Sequence, residues 1–291
     1  MTGRHARFRN DADELIDRLA IEEFSLYHQT PTLHPVAVVI AAWKEAENIA
    51  GVLEGLPAEI NGAAVSVIVS VDGDDDGASE LTRQAGAMAV VSQVHRGQGA
   101  ALRLAYRAAR EFGAKYVVTC DADGQTDPND LAVALKPVMD GEKDFVNGSR
   151  RLGSTHGQDP VRNCGVIVFG TIMSFLTRTK ITDPAATIRA FSAELTAGLT
   201  LDEHQFQGSE ILITAITRGH RFGEVPVTML NRRSGASKKG RNLSYGYNYA
   251  RAMTKAFWRE RLSLRTRYRG GAGRRGATAA PASENPRRWG R

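Results

Sequence analysis

Two carboxylates one residue apart, in Lys115-Tyr-Val-Val-Thr-Cys-Asp-Ala-Asp-Gly-Gln-Thr-Asp-Pro128, have the type and spacing best suited to chemistry in this sequence. Asp121 and Asp123 directly follow an apolar run of β-forming residues, so they sit where a buried strand ends. In an open parallel sheet that carboxyl edge is where ligands bind. Two short acids held side by side repel each other, and a cation relieves this. Oxygen-only ligands suit Mg²⁺ or Mn²⁺, which keep some waters and take one or two carboxylates plus a substrate's phosphates. Gln125 adds a neutral oxygen to the set. The same stretch also reads as a plain turn, with Asp121, Asp123 and Asp127 as ordinary turn formers ahead of Pro128.

Other charged segments follow other strands. Glu45 stands after an apolar strand ending near Ala42, and Asp72-Gly-Asp-Asp-Asp-Gly77 follows a second strand at 65–71. Carboxylates there suit the ring N–H and hydroxyl groups of a nucleoside, and the acidic cluster equally suits a solvated turn. His95-Arg-Gly-Gln-Gly opens a helix with glycines, which lets backbone N–H groups approach an anion at the positive helix end. It is neither a Walker A loop nor GxGxxG. Arg150, Arg162, Arg232 and Lys238 supply cations later in the chain, of the kind that grip diphosphates or merely solubilise a surface.

Strands at 36–43, 65–71, 88–92, 116–120 and 144–150 alternate with helical patterns at 44–56, 78–86, 100–112 and 131–139, the last interrupted by Pro137. This alternation predicts βαβ units, an α/β fold and a mostly parallel sheet whose loops converge at one edge. An amphipathic helix is expected at 11–29 and a helix lying on or in an interface at 163–178. A turn and strand are expected at 183–191, a helix at 209–218 and an edge strand with Pro226 at 221–229. A last helix at about 241–264 carries Leu243, Tyr247, Ala250, Met253 and Phe257 at three-to-four spacing, beside Trp258.

Hydrophobic content of 42% and charged content of 24% are those of a globular protein. Two cysteines, Cys120 and Cys164, exclude a disulfide framework and a thiolate zinc site, and point to a reducing cytoplasm. The N-terminus lacks a signal-peptide apolar core, and no run reaches the length of a membrane span. The net charge of +6 is concentrated after Trp258, where ten Arg and two Glu give +8 and leave −2 for residues 1–258. Such a tail suits an anionic membrane surface, nucleic acid or simple solubility; the expected partner is the membrane, on its inner face, and not nucleic acid.

Taken in order, Val39-Ile-Ala-Ala-Trp-Lys-Glu-Ala-Glu-Asn-Ile49, Val67-Ile-Val-Ser-Val-Asp-Gly-Asp-Asp-Asp-Gly77, Arg96-Gly-Gln-Gly-Ala-Ala-Leu102, Asp121-Ala-Asp-Gly-Gln-Thr-Asp-Pro128, Gly148-Ser-Arg150 and Arg232-Arg-Ser-Gly-Ala-Ser-Lys238 resemble the signature of family 2 glycosyltransferases. The branch they are most similar to is the dolichyl- or polyprenyl-phosphate sugar synthases. The resemblance covers about 36–240 and implies a GT-A (Rossmann-like) α/β fold flanked by helices, with the helix around 163–176 as an amphipathic interface element, while the Gly/Ala/Arg/Pro-rich composition from about 269 predicts a disordered basic C-terminal tail. With the flanking patterns the chain is expected to divide into four segments: an N-terminal amphipathic helix and linker at 1–34, a catalytic unit at 35–240, an amphipathic helix at 241–267 and the tail at 268–291. The catalytic unit divides into a nucleotide and metal half at 35–150 and an acceptor half at 151–240.

The resemblance also implies roles. A divalent cation falls to Asp121, Asp123 and Gln125, and nucleotide contacts to Ala41, Trp43, Glu45, Asp72, Gly97, Gln98, Asp121 and Ala122. Donor diphosphate and acceptor phosphate fall to Arg150, Arg162, Arg232, Ser237 and Lys238, with Asp123, Arg150, Arg162 and Arg232 as the catalytic set. The implied activity is inverting transfer of a sugar from a nucleoside diphosphate to a polyprenyl phosphate. Three segments depart from the family pattern: Ala41-Ala-Trp-Lys-Glu45 loses a proline, Val71-Asp-Gly-Asp74 is one carboxylate short, and Asp183-Pro-Ala-Ala-Thr187 replaces the usual Asp-x-x-Ser-Gly. They keep open a soluble hydroxylated acceptor, for which Asp183 or Glu210 is the candidate base, and a catalytically silent nucleotide-binding protein.

Overall fold

The computed structural model describes residues 11–155, 160–231 and 243–272, without the side chains of 11, 160–162, 243–245 and 264–272. The first half runs α1 (Asp11–Tyr27), β1 (Val36–Ala42), α2 (Ala46–Glu54), β2 (Glu59–Ile60), β3 (Ala63–Asp72), α3 (Ala78–Gln84), β4 (Met88–Ser92) and α4 (Gln98–Glu111). The second runs β5 (Tyr116–Asp121), α5 (Pro128–Met139), β6 (Phe145–Thr155), α6 (Pro160–Thr177), β7 (Arg189–Ser192), a 3-10 turn (Ala193–Gly198), α7 (Gln207–Thr217), β8 (Phe222–Met229) and α8 (Leu243–Ala272).

β4, β3, β1 and β5 lie parallel in that spatial order. β7 then enters antiparallel between β5 and β6, and β8 pairs parallel with β6 at the far edge, where Pro226 is tolerated. The sheet is thus mostly parallel, with β7 inverted near its middle. Along β1 the side chains alternate between two cores. Ala37 and Val39 pack with Phe24, Leu104, Ile211 and Met253, whereas Val36, Val38 and Ile40 pack with Ile49, Leu131 and Leu135. One face is therefore covered by α1, α4, α7 and α8 and the other by α2 and α5. This double covering is why β1 is apolar at every position.

Three local outcomes differ from the sequence reading. β2 and β3 form a tight hairpin through Asn61 (φ 49°) and Gly62 (φ 79°), the Asn-Gly pair that a type I′ turn prefers. α5 runs through Pro137 to Met139, because a proline so close to a helix end removes only one backbone bond. On α8 the packed seam is Tyr249, Ala252, Met253 and Ala256, rotated from the expected stripe, so that Tyr247 and Trp258 are exposed. Among the described residues no helix is long and apolar enough to cross a membrane. α8 runs to Ala272, into the segment expected to be a disordered tail at 268–291, and the rest of that tail, 273–291, lies outside the described residues.

Candidate active site

The parallel strands end level with one another. Ala41 is in register with Asp121, Ala42 with Val71, and Asp72 with Ser92, so the loops after β1, β3, β4 and β5 leave from one edge. Asp121 closes β5 half-exposed, Ala122 is buried, and Asp123 turns back so that its Oδ1 accepts the Gln125 N–H at 3.1 Å. Asp127 caps α5 by accepting from Asn129 N–H at 3.0 Å, ahead of Pro128 in the first turn. The turn reading therefore holds for Asp127, while Asp121 and Asp123 remain at the sheet edge. The turn is braced from β8: Leu230 N–H donates to the Gln125 carbonyl at 2.9 Å and Thr126 bridges to Met229. Chain leaving β8 towards the cationic segment at 231–239 thus starts beside the two carboxylates.

Two carboxylates and an amide in one turn fit a hard divalent cation. Among the described residues no group of three or more His, Cys, Asp or Glu side chains could hold a metal alone. An ion here would draw its remaining ligands from water and substrate phosphates, the habit of Mg²⁺ and Mn²⁺.

The glycine-rich opening of α4 already holds an anion, and it is Asp72. The buried Asp72 carboxylate accepts from the N–H groups of Arg96 at 2.9 Å and Gly97 at 2.6 Å, and His95 Nδ1 lies 2.9 Å from it. The helix end expected to cradle a ligand's phosphate at Gly97 and Gln98 is instead neutralised from within the chain. The glycines serve close packing of the loop at 200–206. A Cβ on Gly97 would stand 2.8 Å from His204 Cβ, and one on Gly99 would stand 2.2 Å from the Glu203 carbonyl oxygen. The Gly99 N–H donates to the His204 carbonyl at 3.2 Å.

The other acids of the cluster are also engaged. Asp74 and Asp76 accept from the start of α3, Asp76 also takes Ala46 N–H at 2.9 Å, and Asp75 pairs with Lys44 at 3.1 Å. Glu45 accepts from Asn48 Nδ2 at 2.9 Å. Above them Trp43 and His95 stack with ring centroids 4.1 Å apart and planes 16° from parallel. This flat aromatic pair between the ends of β1 and β4 was not legible from sequence, where the two residues are far apart.

On β6, Arg150 forms a bidentate pair with Asp183, Nε to Oδ2 at 2.6 Å and Nη2 to Oδ1 at 2.8 Å. Asp183 is fully buried and also takes the Ala185 N–H at 3.2 Å. Glu210 is equally buried, accepting from Asp202 N–H, Glu203 N–H and Arg259 at 2.9–3.0 Å. Burial pushes its pKa up against the pull of those donors. Both candidate bases are therefore counter-ions inside the protein. Arg232, Ser237 and Lys238 lie outside the described residues, as does the side chain of Arg162. Arg189, which begins β7 and is 4% exposed, was missed; the signal was a charge set directly before Ala-Phe in an apolar strand.

Residues 37–199 match the model of the family described as glycosyl transferase family 2. A dolichyl-phosphate hexose transferase of Haloferax volcanii is 30% identical over 233 residues, covering 80% of this chain and 98% of that protein. Polyprenol monophosphomannose synthase of Mycolicibacterium smegmatis is also 30% identical over 233 residues, covering 75% of this chain and 84% of that one. Among solved structures, glucosyl-3-phosphoglycerate synthase of Mycobacterium tuberculosis in complex with Mn²⁺, UDP and glucosyl-3-phosphoglycerate superposes with a TM-score of 0.59. That likeness covers 82% of this chain and 83% of the other at 19% identity, and it establishes the fold alone.

Proposed function

The chain belongs to glycosyl transferase family 2, and from that membership we propose that it is an inverting, metal-dependent enzyme moving a sugar from a nucleoside diphosphate to a polyprenyl phosphate. The names of its relatives from Haloferax volcanii and Mycolicibacterium smegmatis support a lipid phosphate as acceptor. In this reading residues 35–150 bind the donor and 151–240 the acceptor.

The donor's base lies along the Trp43–His95 stack with Glu45 nearby, and its diphosphate reaches the edge at Asp121 and Asp123. Mg²⁺ or Mn²⁺ held by those two carboxylates and Gln125 would offset the charge gathering on the departing nucleoside diphosphate. Asp72 contributes by fixing the 95–97 loop, and with it the ring of His95. Arg162, Arg232, Ser237 and Lys238 are the proposed phosphate-binding groups around the reacting carbon, while Arg150 acts through Asp183 to hold the acceptor wall. The acceptor oxygen attacks the anomeric carbon from the face opposite the diphosphate, so one displacement inverts it.

One observation carries the choice of acceptor: Asp183 and Glu210 are both consumed as buried counter-ions. A hydroxyl acceptor needs a base to take its proton. A phosphate monoester, whose second pKa is about 6, is largely dianionic at neutral pH and needs none. Exposed apolar side chains on α6 (Ile167, Val168, Ile172, Phe175) and on α8 (Tyr247, Trp258) support attachment of the enzyme to a membrane surface, where such an acceptor resides.

The test is an incubation of the full chain and Mn²⁺ with a panel of nucleoside diphosphate sugars, offering a short isoprenyl phosphate or soluble alcohols as acceptor. Release of nucleoside diphosphate coupled to an acid-labile isoprenyl phosphosugar is the expected outcome. Transfer to alcohols alone would move the assignment to a hydroxylated acceptor. Binding of nucleotide with no transfer to either class would sink the enzymatic reading.

A further inference from the structure

Arg189 is a strongly buried cation that nothing above uses. Its neighbours Ile188, Ala190 and Phe191 belong to the two apolar cores, and a charge at that depth ordinarily has a carboxylate against it. Among the described residues Arg189 has none: its guanidinium makes no ion pair or hydrogen bond, and Nε is buried without a partner. Burial works against its charge, while Tyr106, Tyr249, Asp121 and Asp183 act the other way through space. A guanidinium stays protonated even so.

Its location supplies a second observation. Nη2 lies 2.5 Å from where a Cβ on Gly208 would stand, so the guanidinium is lodged against the first turn of α7, and only glycine leaves it that room. The N-cap residue Phe206 offers no side-chain cap. The one acid of that turn, Glu210, is spent on Asp202, Glu203 and Arg259. One more orphaned buried atom belongs to the same neighbourhood: Tyr106 Oη, on a ring that feels the charge of Arg189. A fixed cation and a positive helix end thus converge, and among the described residues no anion of the protein meets them. The site lies towards the acidic turn, since the Asp121 charge acts on both Arg150 and Arg189.

We propose that Arg189 and the N-terminus of α7 form a buried subsite for a phosphate oxygen of a substrate. That the phosphate comes from a donor diphosphate or an acceptor phosphate rests on the transferase reading; the anion site itself does not. The cost of leaving this guanidinium unpaired in the free protein is recovered when the ligand binds, the pattern of a functional charge held at the expense of stability.

The experiment compares the full wild-type chain with Arg189→Met and Gly208→Ala. Arg189→Met replaces the cation by an apolar side chain, and Gly208→Ala leaves it in place but displaces Nη2. Melting temperature is read without ligand. Binding is read with a nucleoside diphosphate plus Mn²⁺ and, separately, with a short isoprenyl phosphate. Each variant is expected to melt no lower than wild type and to bind one probe at least about tenfold more weakly, the effect of one lost charged hydrogen bond. A loss confined to the isoprenyl phosphate assigns the subsite to the acceptor, and a loss confined to the nucleotide assigns it to the donor. Both probes bound to within about twofold of wild type by both variants, well short of such a bond, overturns the proposal, as does a wild-type chain that binds neither. Transfer is scored separately: binding through Arg189 without transfer sinks the function and keeps the subsite, and active transfer with indifferent variants does the reverse.

Discussion

Replacing Asp72 separates two accounts of the sheet edge beside α4. If its carboxylate is the anion that neutralises the start of α4, Asp72→Ala removes two charge-assisted hydrogen bonds, at 2.9 and 2.6 Å, and the partner of His95 Nδ1. Hydrogen bonds to a charged group contribute about 1.5–3 kcal/mol each, and the two N–H groups are left facing a void, so the loss should be about 3–5 kcal/mol. Against a total stability of about 5–15 kcal/mol that is a large fraction. At about 2–4 °C per kcal/mol it lowers the melting temperature by roughly 10 °C. Asp72→Asn keeps the shape but offers only one acceptor oxygen, and should cost about half as much. Thermal and urea unfolding read the stability, and nucleotide binding is measured well below the variants' melting points. Under the pinning account Asp72→Asn is less stable and its folded fraction still binds nucleotide. An Asp72→Asn protein that melts with wild type but has lost nucleotide affinity would refute the account and make Asp72 a direct nucleoside contact.

Asp123→Ala should leave the melting temperature of the free protein nearly unchanged while removing Mn²⁺-dependent nucleotide binding; a binding isotherm that still responds to Mn²⁺ argues against the acidic turn as the metal site. Glu210 has a pKa raised by burial above its ordinary 4.5, so the native state holds that proton more tightly than the unfolded one. Its contribution to stability is therefore full below that ordinary value and fades as pH rises through the raised one. The stability difference between wild type and Glu210→Gln should decline as urea titrations move from pH 4.5 towards neutrality, and a flat or rising difference contradicts the assignment. Co-sedimentation with anionic liposomes should fall in Phe175→Asp, which places a charge on a side chain 85% exposed, and on removal of 273–291, whose Arg residues contribute about 1 kcal/mol each near an anionic leaflet. Equal recovery of all three proteins in the supernatant at low salt removes the membrane claim.

The sheet was legible because its central parallel strands are mostly apolar and punctuated by turn residues, so β1, β3, β4 and β5 emerge within about two residues of where periodicity puts them. The acidic turn was legible for the same reason, since a run that ends on Asp121 says where the edge is. Contacts made by residues distant in sequence were not. Nothing local says that Asp72 will meet the N–H of Gly97, that Asp183 will take Arg150, or that Trp43 will stack on His95. The glycines of 97–99 signalled a close approach, but the partner is the chain's own loop. Only the Asn61-Gly62 hairpin was written locally and passed over, because its two-residue β2 is too short to show an alternation.

Arg251, Lys255 and Arg259 lie one turn apart along α8 and grip Glu203 and Asp202 at 2.9–3.0 Å, and Arg259 also takes Glu210. The loop they hold presses on Gly97 and Gly99, and Asp72 ties the first of these to the end of β3. The last helix is in this sense a keystone. A chain cut just before Arg259 would deprive Glu210 and Asp202 of their countercharge, leave α8 holding the 200–206 segment only through Glu203, and slacken the 95–99 loop against which it packs. Loss of activity in such a truncation would then report a collapsed arch, even if no residue beyond 258 ever touches a substrate.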